Sequence, residues 1–262
     1  MRPLSPLLTS SRSRQHIATA ALCLPLALAT GQFARADVIG FTADAAIWQA
    51  DIEGSIRSEG TEIDLQNDLG LDDNDAASLR AALEHPIPAL PNIALGITDL
   101  NFEGSAELSR NITFENTNFS FSEQVDADID LSHIDVTAYY EILDTIVSID
   151  LGLTARWFHG DLAVNSASAS ASADFDAVLP LLYGRAQVDL PLTGLAIAAQ
   201  AQGASFDGNG LTELSAEIQY ELTFGLGFRA GYRSMSIDVD DVSDVFADID
   251  ISGGFLGLYF DI

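Results

Sequence analysis

The 262-residue chain carries 39 acidic residues against 11 basic ones, a formal net charge of −28, so it would repel the phosphate backbone and nucleic acid is excluded as a natural partner. One cysteine and no lysine exclude a disulfide framework and an ammonium-based site. Mean hydropathy is nonetheless +0.20, so apolar and acidic residues must be sorted onto different faces of the fold.

Residues 1–36 have the makeup of a secretory leader. Arg2, Arg12 and Arg14 form a positive start, Ile17–Thr30 is uncharged and mostly apolar, and Ala34-Arg35-Ala36 offers a small-x-small cleavage site. The apolar run is shorter than the roughly 20 residues of a membrane helix. Cys23 lies inside it and follows Leu22, which disfavours lipidation. Cleavage would leave residues 37–262 as a single domain without cysteine, with seven arginines against 39 acids.

Ten alternating segments follow. The first spans about 38–56, with Ile39, Phe41, Ala43, Ala45 and Ile47 on one face. Its apolar positions then shift to Ala50, Ile52 and Ile56, which predicts a one-residue bulge at Trp48. An acidic loop is expected over 58–75. The second segment sets Leu79, Ala81 and Leu83 against Arg80 and Glu84, and stops at His85-Pro86-Ile87-Pro88, where two prolines remove ladder donors. The third opens near Asn92 with Ile93, Leu95 and Ile97 outward, and a long polar stretch is expected from about Glu107 to Asp128.

The fourth segment sets Ile134, Val136, Ala138, Tyr140 and Ile142 against Asp135, Thr137, Tyr139 and Glu141. The fifth is the clearest, with Val147, Ile149, Leu151, Leu153, Ala155 and Trp157 against Ser148, Asp150, Gly152, Thr154 and Arg156. The sixth pairs Leu182 to Leu190 with Tyr183, Arg185, Gln187 and Asp189; the seventh sets Leu195 and Ile197 against Gln200 and Gln202. Glu213, Glu217, Gln219 and Glu221 line one face of the eighth, Arg229 and Arg233 one face of the ninth. The tenth places Gly254, Leu256, Leu258, Phe260 and Ile262 opposite Gly253, Gly257 and Asp261.

The connections sort by parity. The second, fourth, sixth and eighth are tight and rich in Pro, Gly or Asp. The first, third, fifth and ninth read as long and acidic, and only the seventh, Asp207-Gly208-Asn209-Gly210, departs. Two aromatic girdles are expected, with Phe41, Tyr140, Tyr220 and Phe260 at the turn ends, and Trp157, Phe102 and Tyr232 at the loop ends. Short turns on one side, longer loops on the other and an apolar outer face define an all-β fold, an antiparallel up-and-down transmembrane (outer-membrane) β-barrel. Ten strands are expected, with eight or twelve as alternatives.

Three segments carry a resemblance: Ala82-Leu83-Glu84-His85-Pro86-Ile87-Pro88, Leu151-Gly152-Leu153-Thr154-Ala155-Arg156-Trp157-Phe158 and Gly231-Tyr232-Arg233-Ser234-Met235-Ser236. With them the chain resembles a family of small outer-membrane β-barrel proteins of uncharacterised function from Gram-negative bacteria. The resemblance implies fold and location and supplies no catalytic residues. Ile262, where such barrels usually carry Phe, departs from the pattern.

The inward faces collect charge. Arg80, Arg156, Arg185, Arg229 and Arg233 are expected to meet Asp44, Glu84, Asp135, Glu141, Asp150, Asp189, Glu217 and Glu221 in a network that plugs a narrow lumen, since lone charges there would be costly. Arg156 and Arg185 are expected to share partners such as Asp150 and Asp189. A charged constriction passing small ions is the alternative. His133 and His159 should stand near the loop-end rim on neighbouring strands with Asp135 and Asp161 close by, where a histidine beside a carboxylate can serve a rim hydrolase as general base. His85 reads as exposed in its turn. No G-x-S-x-G motif occurs, and no cofactor is expected. The acidic runs Asp72-Asp73-Asn74-Asp75 and Asp238 to Asp250 do not follow the EF-hand pattern, which leaves solvated acid that keeps the rim hydrated, or loose divalent-cation binding. The expected partners are outer-membrane lipid and lipopolysaccharide, divalent cations and the barrel-assembly machinery, for a monomer.

Overall fold

A computed structural model describes residues 39–58, 60–242 and 245–262. The leader and Cys23 lie outside the described residues. The described residues form fifteen strands: β1 (Gly40–Ser58), β2 (Thr61–Asp64), β3 (Asn74–Glu84), β4 (Asn92–Asp99), β5 (Asn101–Glu107), β6 (Ile112–Phe114), β7 (Thr117–Phe119), β8 (Gln124–Asp130), β9 (His133–Asp144), β10 (Val147–Ser166), β11 (Ser170–Leu190), β12 (Leu195–Phe206), β13 (Asn209–Thr223), β14 (Leu226–Val242) and β15 (Val245–Asp261). Ten of them, β1, β3, β4 and β9–β15, form one antiparallel ring that closes β15 against β1. They are the ten segments of the alternation pattern. The fold is an all-β, ten-stranded up-and-down barrel of the outer-membrane class.

The register fixes the barrel's dimensions. From Phe41 the directly paired residues run Leu83, Ile93, Ala138, Leu153, Leu182, Gly203, Thr212, Ser236, Asp250 and back to β1 at Glu53. The circuit returns twelve residues further along the strand it left. With strand rise and spacing, this stagger sets a tilt of about 40° and a backbone radius of roughly 10 Å. Such a lumen is filled by its own side chains.

Two zones of opposite polarity share these strands. In the lower zone Ile47, Leu79, Leu95, Ile134, Leu151, Leu153, Ile218, Leu256 and others point outward and are half or more exposed, as a lipid-facing band requires. Above it the pattern inverts. Trp48, Ala50, Ile52, Ile63, Leu65, Phe102, Phe119, Val125, Ile129, Val164 and Ile251 turn inward and are buried as a cap core. Asp51, Glu53 and Asp126, which alternate with these buried residues, face out.

The inversion corrects the bulge expected at Trp48. The β1–β15 register does not shift there, so Ala46, Trp48, Ala50 and Ile52 all stay on the inner face. What changes is the surroundings: the strand leaves lipid for water, and the apolar residues move from its outer to its inner face. The same inversion moves Phe102 out of the girdle expected for it and into the cap core.

The connections are also reinterpreted. The polar stretch 107–128 is built structure: β8 adds to the upper half of β10 from Asp130↔Asp161 to Val125↔Ser166, and β5 adds to β8. The 58–75 loop contains β2, hydrogen-bonded to the end of β1, and Leu71 bridges to Gly104. The fifth connection is a tight turn: the Ser-Ala run from Ser166 continues β10 and β11, with Asn165 opposite Ser170. The acidic run in the ninth connection lies largely on β14 and β15, where Asp238 faces Asp248, with Asp244 outside the described residues. The glycines of β14 make room in the lumen: a Cβ on Gly227 would meet the Tyr259 ring at 2.4 Å, and one on Gly231 would meet Phe255 at 2.8 Å.

Candidate functional site

The lumen of the lower zone is layered by charge. At the turn end, Tyr139 donates a hydrogen bond to Glu84 (2.9 Å) and Asn92 donates to Glu141 (3.4 Å). Gln187 donates to Asp189 (3.0 Å), while Asp150 stands opposite Arg185 in the β10–β11 ladder. His85 is not simply exposed: its Nε2 lies 3.1 Å from the Pro91 carbonyl, and its Nδ1 accepts from Ile87 N–H at 3.3 Å.

The middle layer joins four strands. Arg185 donates to Glu217 and to the side-chain oxygen Oε1 of Gln187, each at 3.0 Å. Arg229 bridges Glu217 (2.9 Å) and Asp44 and lies 5.0 Å from the centre of the Phe255 ring. Gln219 adds a third donor to Glu217 at 2.7 Å. Arg80 differs: its contact is the Tyr183 hydroxyl at 3.5 Å, and no carboxylate among the described residues comes within ion-pair distance of it.

The upper layer is the most buried. Arg156, with no exposed side-chain surface, donates Nε and Nη2 to Asp135 at 2.8 and 2.7 Å and pairs through Nη1 with Glu213 at 2.7 Å. Arg233 shares Glu213 (3.0 Å) and lies 4.5 Å from the centre of the Trp48 ring. A carboxylate shared by two guanidiniums, itself buried, is the geometry in which a lumen charge is satisfied rather than stranded.

The five expected arginines therefore all face the lumen, but not with the expected partners. Arg156 and Arg185 share no carboxylate. Arg156 stands opposite Leu179 in the β10–β11 ladder and Arg185 opposite Asp150, six positions apart or about 20 Å. Arg156 instead takes Asp135, its direct neighbour on β9, and Glu213 from across the lumen. Glu213 was legible as an inward position in step with Glu217 and Glu221. Its distant partners were not, because they are set by the barrel's curvature.

The two rim histidines are not brought together. His133 is buried, with Nδ1 3.0 Å from the Leu131 carbonyl and its ring 5.1 Å from that of Phe158. His159 points out and pairs with Asp176, directly opposite on β11, at 2.5 Å. That carboxylate raises the affinity of the exposed imidazole for its proton. The two rings occupy opposite faces of the wall.

Outside the cap, carboxylates stand in rows. Asp130, Asp161 and Asp174 are directly opposite one another on three strands, and Glu103 faces Asp128. Partial burial, then Asp161 and Glu103, push the Asp128 carboxyl above its ordinary range. Glu123 has donors instead: the Ser120 N–H and the hydroxyls of Ser166 and Ser168 hold it down at about 2. Among the described residues no group of three or more His, Cys, Asp or Glu is placed to hold a metal ion.

Solved structures of similar shape are outer-membrane barrels. The outer membrane protease OmpT from Escherichia coli superposes with a TM-score of 0.51 at 8% identity, covering 85% of this chain and 97% of that one. Neisserial surface protein A shares 12% identity (TM-score 0.35, 85% and 96% covered), and the attachment invasion locus protein Ail of Yersinia pestis 13% (TM-score 0.35, 85% and 99% covered). No protein-family model and no curated protein sequence matches the chain. At 8% identity the likeness to OmpT is one of fold.

Proposed function

We propose that the chain is a sealed envelope protein of the Gram-negative outer membrane, reached by the secretory route, with its acid-faced cap at the cell surface. One observation carries the reading: the lumen is filled twice over, by cross-linked arginine layers and then by the apolar cap core above them. Either filling alone would obstruct a hydrated path. The carboxylate rows on the cap form no chelating site among the described residues, but they suit loosely held divalent cations that bridge to lipopolysaccharide phosphates, because like charges directly opposite across a ladder otherwise repel. The hydrolase alternative keeps one exposed histidine–carboxylate pair, His159 with Asp176, while His133 stands on the other face of the wall.

Planar-bilayer recording of the refolded protein tests the reading. The native chain should give no steady conductance. A stable ohmic conductance in the native protein would instead establish the narrow-channel alternative.

A further inference from the structure

We propose that the lumen binds a small inorganic anion, of chloride size and charge, beside Arg80. The first ground is local charge. Five guanidiniums face the lumen, and four carboxylates (Asp44, Asp135, Glu213 and Glu217) pair with four of them. Arg80 is the fifth. Glu84, Glu141, Asp150 and Asp189, in the layer below, form no ion pair with any arginine among the described residues. An unpaired guanidinium inside a barrel is costly, and it cannot shed its proton to relieve the cost.

The second ground is the space beside it. A cavity of about 90 Å³ lies between the middle and upper layers, lined by Arg80 with Trp48 and Gln202, and by Arg185, Arg229 and Arg233 together with the carboxylates Asp44, Asp135 and Glu213 that pair with guanidiniums. At roughly 30 Å³ per water-sized occupant it has room for one monatomic anion and a little water.

The third ground is the balance of unmet hydrogen bonds. Trp48 Nε1, Arg229 Nε and Arg233 Nε are buried and without a partner, and all three are donors. Among the described residues, Gln202 Oε1 is the one cavity-lining acceptor in the same condition; Glu217 Oε2, outside the lining, is held by Arg229. Water alone brings as many donors as acceptors; an anion accepts from donors and gives Arg80 the direct partner that no carboxylate supplies.

Purified full-length chain in detergent tests this with chloride and bromide as probes. Thermal unfolding is compared in sodium chloride and sodium gluconate of equal ionic strength, so that screening is constant. Chloride should raise Tm by about a few degrees, saturably, as a ligand of the folded state does. R80M removes the surplus charge, and Q202E places a carboxylate in the cavity; both should abolish the chloride shift. Crystals soaked in bromide should show an anomalous peak within hydrogen-bond reach of Arg80. Equal Tm in the two salts together with no bromide peak overturns the proposal. If R80M fails to fold, Q202E and the bromide peak still decide.

Discussion

The lower barrel and its cap are built from the same strands with opposite solvent logic, and the contrast shows what each half relies on. Along β10, Leu151, Leu153 and Trp157 face lipid while Arg156 is sealed inside; nine positions higher than Trp157, Ser166 closes a segment whose inner residues are Leu162 and Val164. In the lower half the hydrophobic effect does not assemble the interior, because the outside is as apolar as any core could be. Its interior is held by charge-assisted hydrogen bonds. The cap faces water and is held as a soluble domain is, by burial of Trp48, Phe102, Phe119, Ile129 and their neighbours.

The largest expected effects would break each half by its own means. Arg156→Ala leaves Asp135 without a cation and deprives Glu213 of one of two, a loss of about 3–5 kcal/mol by urea unfolding in detergent micelles. Replacing Arg156 and Asp135 together by apolar residues of similar volume should recover much of that loss. Phe102→Ala opens a cavity in the cap at a comparable cost of about 3–5 kcal/mol. The two should differ in kind: hydrogen exchange should loosen in β5 and β8 for Phe102→Ala and in the lumen layers for Arg156→Ala.

A smaller effect separates the two outer faces. Leu151→Arg on the lipid face should cost roughly 2–4 kcal/mol. Ala163→Arg lies on the same strand and the same face but above the band, opposite Asp128, so it should change stability by less than about 0.5 kcal/mol. Equal losses would erase the boundary between the zones.

Most of the lower half was legible in sequence because a strand with lipid on one side and a lumen on the other alternates without ambiguity. All ten ring strands and the inward arginines follow from it. The cap was not legible for a definite reason. Val125, Ala127, Ile129 and Leu131 alternate with Asp126, Asp128 and Asp130 as cleanly as any membrane strand, but the acid on the outer face made the segment read as loop. The shift at Trp48 was visible, yet a change of face and a change of solvent look alike in a pattern of apolar residues. Ion-pair partners were hardest: Arg156 to Asp135 is a ladder neighbour, whereas Arg156 to Glu213 depends on closure.

The smallest expected effect concerns His159. Asp176 stabilises its protonated form, so whatever the pair contributes is present at low pH and is lost as pH rises through the raised value. By NMR titration His159 should lose its proton later than an ordinary imidazole, and Asp176→Asn should bring it back. An exposed pair of this kind should leave unfolding nearly unchanged.

The seam between β1 and β15 has a consequence for how the protein comes into being. Phe41 and Ile262 exchange backbone hydrogen bonds at 2.8 and 3.0 Å, and Thr42 donates to Asp261 across a separation of 219 residues. No earlier strand can substitute for β15, because the stagger of the whole ring determines which residues of β1 it meets. From the moment β1 and β3 pair until β15 docks, one side of β1 is an unprotected edge, open to wrong partners and to other chains. The slow step of folding should therefore be this last, most distant pairing, and protection of the open β1 edge is the service the chain most needs during its assembly.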